Sequence, residues 1–325
     1  MTAQRPAIVI TRRLAPGIVE ILAGCCEVRQ HDSERPMSRA ALIDAVPGSA
    51  ALLTTLADVV DSELLERRRT GSADRREPRG RIPQHRRARM YRPRGDRHQH
   101  PGRSHRRHRR PGMGPAAHRR PPGRSGRRVD SRRKPWMWAT TFLLGRGLRG
   151  ATLGIIGLGR IGRAVAHRGV GFGMTITYHN RRPVPPRVLD GLPARYSDLP
   201  TLLSSSDVVC LCCPLTVQTH HLIDATALKQ MRASAVLVNI AAGGIVDEAA
   251  LADALDASEI FAAALDGYEH EPQVHPRLIT HERVALTPHL GSATEQTGHA
   301  MGLLAARNVL AVLDGQPPLT AVPPQ

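Results

Sequence analysis

Long apolar runs are missing from this chain: nowhere do the roughly 18 consecutive apolar residues of a membrane-crossing helix stand together. No signal sequence is expected either, since Met1 to Arg5 lead straight into a strand-like stretch, Ala7 to Thr11. Cysteine is sparse. The five present, Cys25, Cys26, Cys210, Cys212 and Cys213, lie in apolar contexts without metal-ligand spacing, so they read as buried thiols of a reduced compartment and no metal site is expected. These absences together predict a cytoplasmic protein without a membrane association.

Acidic residues are outnumbered, but in one place only. Residues 66–134 carry 25 Arg and one Lys against five acids, a surplus of 21 within a net charge of +18, which leaves the rest of the chain at −3. The basicity therefore belongs to one segment, and the remainder has the balance of an ordinary α/β protein. That segment also lacks apolar surface: between Leu65 and Phe142 there is no Leu and no Phe, while Arg, His, Pro and Gly dominate, so it has neither the period nor the side chains to build a core. An irregular, solvent-exposed excursion is expected there.

Around it the grammar is regular. Strands are expected at Ala7 to Thr11, Glu27 to Gln30 and Ala50 to Thr55, with helices at Pro16 to Ala23, at Ser38 to Ala45 behind a serine cap, and from Ser62. After Pro135 come strands at Asp207 to Cys212, Ala235 to Ile240, Phe261 to Asp266 and Val284 to Thr287. Helices are expected at Tyr196 to Ser204, Ala225 to Met231, Asp247 to Asp256 and Ala293 to Leu313. Alternating strands and helices imply parallel sheets with helices on their faces.

The stretch Ala151 to Pro183 is a βαβ unit with Gly157, Gly159 and Gly162 in GxGxxG spacing, with Arg160 and Ile161 inside the motif. The first glycine permits a tight turn, the second lets backbone approach a pyrophosphate, and the third lets helix pack on strand. The phosphates would then rest on the helix N-terminus. The residue closing the second strand selects the cofactor, because an acid there binds the ribose 2′-hydroxyl whereas Arg accepts a 2′-phosphate. Here it is Asn180, followed by Arg181 and Arg182. NADP(H) is therefore favoured, with NAD(H) possible.

The segments LLTTLADVVDSELL, PWMWATTFLLGRGLRGATLGIIGLGRIGRAVA, YHNRRP, SDVVCLCCPLTVQTHHLI, NIAAGGIVDE, AALDGYEHEP and LTPHLGSAT resemble, in order and spacing, the D-isomer-specific 2-hydroxyacid dehydrogenases, closest to the glyoxylate/hydroxypyruvate reductases. The resemblance implies two Rossmann-like parallel-sheet domains: a flavodoxin-like substrate domain from residues 1–65 and 293–325, and an NAD(P)-binding domain from 135–292, with 66–134 as the basic interruption. It implies a homodimer whose arm includes Trp136 and Trp138, and hydride transfer between the cofactor and a small 2-keto acid of the glyoxylate or hydroxypyruvate type. A 3-phosphoglycerate-like substrate is the alternative within the family. His289 corresponds to the family's proton donor and Glu271 to its carboxylate partner. Position 242, where the family carries the Arg that clamps the substrate carboxylate, is Ala242. Pro214 and Thr219 correspond to the loop over the nicotinamide ribose, Asp266 to the contact at the nicotinamide end, and Gly291 to the close of the histidine turn.

The resemblance also requires GYxNIDV and TNTPG motifs inside residues 66–134, and neither is there. Codons for residues of this segment, read one base later, can spell both. His98-Gln99-His100-Pro101-Gly102 can then spell TNTPG, and Ile82 to Arg87 can spell Tyr-x-Asn-Ile-Asp-Val. The segment is read as a frame-shifted insert between compensating shifts, which leaves an inactive remnant as the competing functional reading. A genuine basic arm is the other alternative. With Tyr91 as its only aromatic and Pro and Gly interrupting any helix, it would not read nucleic acid specifically, although its charge would hold polyanions non-specifically.

Overall fold

The computed structural model describes residues 5–55, 58–70 and 145–321. The arginine-rich stretch beyond residue 70, and Trp136 and Trp138, lie outside the described residues. The chain divides into two compact units, Met1–His100 with Thr294–Gln325, and Pro101–Ala293.

The first unit contains β1 (Ala7–Ile10), α1 (Pro16–Ala23), β2 (Glu27–Gln30), α2 (Arg39–Ala45), β3 (Ala51–Leu53), α3 (Ser62–Thr70) and the later helix Glu295–Leu313. Its three strands are parallel in the order β2-β1-β3. The central strand is apolar at every position because both its faces are covered. Ile8 and Ile10 pack with Ile18 and Leu22 of α1 and with Ala306 and Val309 of the later helix, whereas Val9 joins Leu42 of α2 and Leu64 of α3 on the other face. Ser38 caps α2 as expected, accepting from the Ala41 N–H. One correction concerns the start of the basic segment. Residues 66–70, assigned by composition to the irregular stretch, continue α3, because arginine is a good helix former and needs no core to extend an established helix.

The second unit holds β4 (Thr152–Ile156), α4 (Arg160–Gly171), β5 (Thr175–His179), α5 (Pro186–Leu189), β6 (Ala194–Tyr196), α6 (Leu199–Ser205), β7 (Val208–Leu211), α7 (Ala225–Gln230), β8 (Val236–Asn239), α8 (Glu248–Asp256), β9 (Ala262–Leu265), α9 (Pro276–Thr280) and β10 (Val284–Leu286). The seven strands form one sheet in the order β10-β9-β8-β7-β4-β5-β6, every pair parallel. Alternate residues feed opposite faces, so Leu153, Ile155, Val208 and Val236 enter one core and Ile156, Val209, Leu211 and Leu237 the other. The strand order reverses at β4. Connections leave β4 and β7 in opposite directions there, and the crevice beyond their C-terminal ends is where open α/β sheets bind ligands.

The helix expected at Tyr196 to Ser204 is a correction as well. Tyr196 ends the edge strand β6, and α6 starts at Leu199 because Asp198 accepts from the Thr201 N–H and supplies the cap. Of the five cysteines expected to be buried, Cys25 is exposed and Cys212 half-buried; Cys25 follows the end of α1 on the surface, where no second layer covers it. Among the described residues, no helix is long and apolar enough to cross a membrane.

Candidate active site

The Gly-rich turn leaves β4 at the strand-order reversal. Gly157 has φ +98°, and a Cβ there would stand 2.5 Å from the Cys213 N, so the turn rests on the backbone that leaves β7. A Cβ on Gly162 would lie 2.2 Å from the Gly157 O, which is how closely α4 packs on the turn. Gly159 differs. It is the N-cap of α4, makes no side-chain cap, and has open space where its Cβ would be. The first turn of α4 carries no acid; Arg160 is exposed and Ile161 half-buried there. An uncapped helix start with room before it and a positive dipole end fits the pyrophosphate of a dinucleotide.

Asn180, at the end of β5, turns its Oδ1 inward to accept the Leu158 N–H at 2.7 Å. It braces the Gly-rich turn against β5, as does the Gly157 N–H, which donates to the His179 O at 2.9 Å. Arg181 and Arg182, next in the chain, are exposed. Across the sheet edge His179 Nδ1 donates to the Ser197 O at 3.0 Å, and its ring stacks on Tyr196.

The loop after β7 is locked by Thr219. Its hydroxyl donates to the Pro214 O at 2.6 Å and accepts the Thr216 N–H at 2.7 Å. Pro214 itself is exposed.

Glu271 and His289, 18 residues apart, are brought together. His289 Nδ1 lies 3.0 Å and 3.1 Å from the two Glu271 oxygens, and Glu271 Oε1 also accepts the Tyr268 N–H at 3.1 Å. The hydrogen bond from His289 holds the Glu271 pKa below its usual range, against the opposing effect of burial. The same bond raises the His289 pKa, with desolvation working against it. With Nδ1–H committed to the carboxylate, Nε2 is the free ring nitrogen, and nearly half of the side chain is open to solvent (49%). The backbone around it is bent. His289 has φ +52°, a conformation uncommon for a side-chain-bearing residue, and Asp266 maintains it. That buried carboxylate accepts the Leu290 and Gly291 N–H groups, each at 2.7 Å, and the Thr287 hydroxyl. Asp266 thus acts as the brace of the histidine turn, and Gly291 closes that turn by donating to it.

Ala242, half-buried after β8, packs its methyl group against the core. Its backbone carries a different load. Asn239 Nδ2 donates to the Ala242 O and its Oδ1 accepts the Ala241 N–H, both at 3.0 Å, which folds the chain into the 3-10 turn Gly243–Ile245. Gly243 lies directly under the segment after β9: a Cβ there would fall 1.7 Å from the Tyr268 C. Sequence reasoning missed Asn239 and Tyr268 as supports, although an asparagine at a strand end is a turn-forming residue in its own right. A cavity of about 850 Å³ lined by Arg146, Phe261, His281 and Arg283 opens at the N-terminal ends of β8, β9 and β10, away from these groups.

A family model described as "D-isomer specific 2-hydroxyacid dehydrogenase, NAD binding domain" matches residues 118–291. Glyoxylate reductase of Thermococcus onnurineus is 45% identical over 185 residues, which is 57% of this chain and 55% of that protein. Glyoxylate/hydroxypyruvate reductase B of Klebsiella pneumoniae is 46% identical over 176 residues, 54% of each. The chain therefore spans about half the length of the curated relatives it matches. A crystal structure of a protein from Thermus thermophilus superposes with a TM-score of 0.78 at 30% identity, covering 98% of this chain and 100% of that one.

Proposed function

Because the chain belongs to the D-isomer-specific 2-hydroxyacid dehydrogenase family, we propose that it is built as an NADP(H)-dependent reductase of small 2-keto acids of the glyoxylate or hydroxypyruvate type, acting as a homodimer, with its turnover reduced by Ala242. The observation that carries this reading is the Glu271–His289 pair, held on a braced turn just past the C-terminal ends of β9 and β10. The two curated relatives support the substrate class by their names. Gly157, Gly159, Arg160, Ile161 and Gly162 would hold the pyrophosphate, Arg181 and Arg182 the 2′-phosphate through charge-assisted hydrogen bonds, and Pro214 and Thr219 would flank the nicotinamide ribose. When bound, the reduced nicotinamide supplies a hydride.

The chain's own contribution is the proton. His289 in its imidazolium form donates from Nε2 to the carbonyl oxygen, and Glu271, accepting from Nδ1–H, holds the ring's orientation and favours its charged form. Below the raised pKa the donor is loaded, and as pH rises through that pKa it is lost. NMR titration of the histidine ring protons in the full chain checks this: His289, identified by its loss in His289→Asn, is expected to titrate above the ordinary value of 6.5 and to move down towards it in Glu271→Gln. An unchanged midpoint in that variant would contradict the pairing.

The substrate carboxylate has no guanidinium at position 242 to orient it. Positioning and charge stabilisation of this kind are worth on the order of 10²–10³-fold or more in rate. Glyoxylate-dependent oxidation of NADPH by the full chain is therefore expected to be measurable only at high enzyme concentration, and Ala242→Arg alone to recover little while the GYxNIDV motif is absent from the sequence. Oxidation that ignores added keto acid would overturn the reductase reading, and turnover at the rates of intact relatives would overturn the attenuation.

A further inference from the structure

Three metal-ligating side chains outside the Glu271–His289 pair converge from two loops of the second unit. His220 and His221 lie between β7 and α7, and Glu269 follows β9. One ring nitrogen from each histidine and a carboxylate oxygen of Glu269 all lie within 4.8 Å of one another. His221 Nε2 stands 2.7 Å from Glu269 Oε1, and the His220 ring stacks on that of His221 with centroids 4.0 Å apart and 28° between planes. Consecutive side chains on extended backbone point to opposite sides. These two point together because His221 has φ +48°, in the left-handed region that side-chain-bearing residues seldom occupy.

The backbone under two of the donors is fixed. The His221 N–H donates to the Gly244 O at 2.9 Å. The Glu269 N–H donates to Glu248 Oε1 at 2.9 Å, and the buried Glu248 carboxylate also takes the His275 N–H at 3.2 Å. His220 is exposed and can adjust by side-chain rotation.

We propose that His220, His221 and Glu269 form a binding site for a divalent first-row transition ion of the Zn²⁺, Co²⁺ or Ni²⁺ type. Two imidazoles and a carboxylate suit those borderline ions, whereas Ca²⁺ and Mg²⁺ ask for all-oxygen shells. Bonds of about 2.0–2.1 Å in a tetrahedral shell set donors about 3.4 Å apart, so separations that reach at most 4.8 Å have to close by up to about 1.4 Å through rotation of His220, and the 2.7 Å contact between His221 and Glu269 has to open. Cysteine spacing carries no hint of the site, since its carboxylate lies 48 residues from His221. A bound ion would staple the loop of Pro214 and Thr219 to the segment Tyr268–Glu271, fixing the support of Glu271 from a point the reaction itself does not use.

The site stands on these side chains and does not depend on the reductase reading. Its test uses the full chain, stripped of metal with a chelator and titrated with Co²⁺ while the visible ligand-field absorption is followed. The parent is expected to saturate, and His220→Ala and Glu269→Gln each to weaken binding at least about tenfold. The chain has 16 histidines, so binding elsewhere is the rival outcome: a weakening below tenfold in either variant, or the absence of a saturable absorption band in the parent, overturns the proposal.

Discussion

Gly159→Asp is expected to cost at least about 100-fold in NADPH affinity, close to 2.7 kcal/mol, while leaving the fold as stable as before or slightly more so. The two effects separate because of where Gly159 sits. It is the N-cap of α4 with φ −77° and ψ −160°, backbone that any residue adopts, and a Cβ would meet nothing within 4 Å. An aspartate therefore fits. Its carboxylate would accept the first-turn N–H groups, a gain of a few tenths of a kcal/mol over glycine at such a position. Those are the same donors that the pyrophosphate needs, and the added charge repels it. Fluorescence titration with NADPH and a thermal melt on one preparation read both quantities. Undiminished binding would mean that the cofactor phosphates lie elsewhere, and a lowered melting temperature would mean that the helix start is not open as described.

Gly243→Ala is expected to have the opposite signature, a loss of fold. The added Cβ would stand 1.7 Å from the Tyr268 C and 2.3 Å from the Glu269 N, all backbone, so no side chain can rotate away. Tyr268 itself is pinned, its N–H on Glu271 Oε1 and its hydroxyl donating to the Thr287 O at 2.7 Å. Overpacking usually costs about 1–3 kcal/mol, and a collision between two backbones belongs at or above the top of that range. For a domain of this size, about 3 kcal/mol lowers the melting temperature by about 6–12 °C. Gly298→Ala is the control: it lies in the helix Glu295–Leu313 with open space around it, where alanine should stabilise by about 0.5–1 kcal/mol. Equal melting temperatures for the two variants would contradict the crossing at Gly243.

The βαβ unit was legible because its glycines answer separate demands: Gly157 and Gly162 meet backbone where a Cβ would stand, whereas Gly159 has open space before the helix. His289 and Glu271 were legible only through the family resemblance, since nothing local marks an 18-residue pairing. What stayed hidden depends on contacts between segments far apart in the chain. Asp266, expected as a cofactor contact, also braces the histidine turn through partners 24 and 25 residues away. Asn180, expected as a specificity position, spends its carbonyl oxygen on the Gly-rich turn. The strand β6 escaped notice because three residues, Ala194–Tyr196, are too few to show a period of two. Composition misplaced the start of the irregular stretch for a similar reason: α3 persists to Thr70, held in part by Arg68, whose guanidinium donates to the Ala50 O at 2.7 Å.

The cofactor preference tests the account most directly, because it joins the open start of α4 to the Arg181–Arg182 pair in one number. Titrating the full chain with NADPH and with NADH should show saturable binding of both, with NADPH tighter by at least about tenfold, or about 1.4 kcal/mol. Equal affinities, or binding of neither, would contradict it.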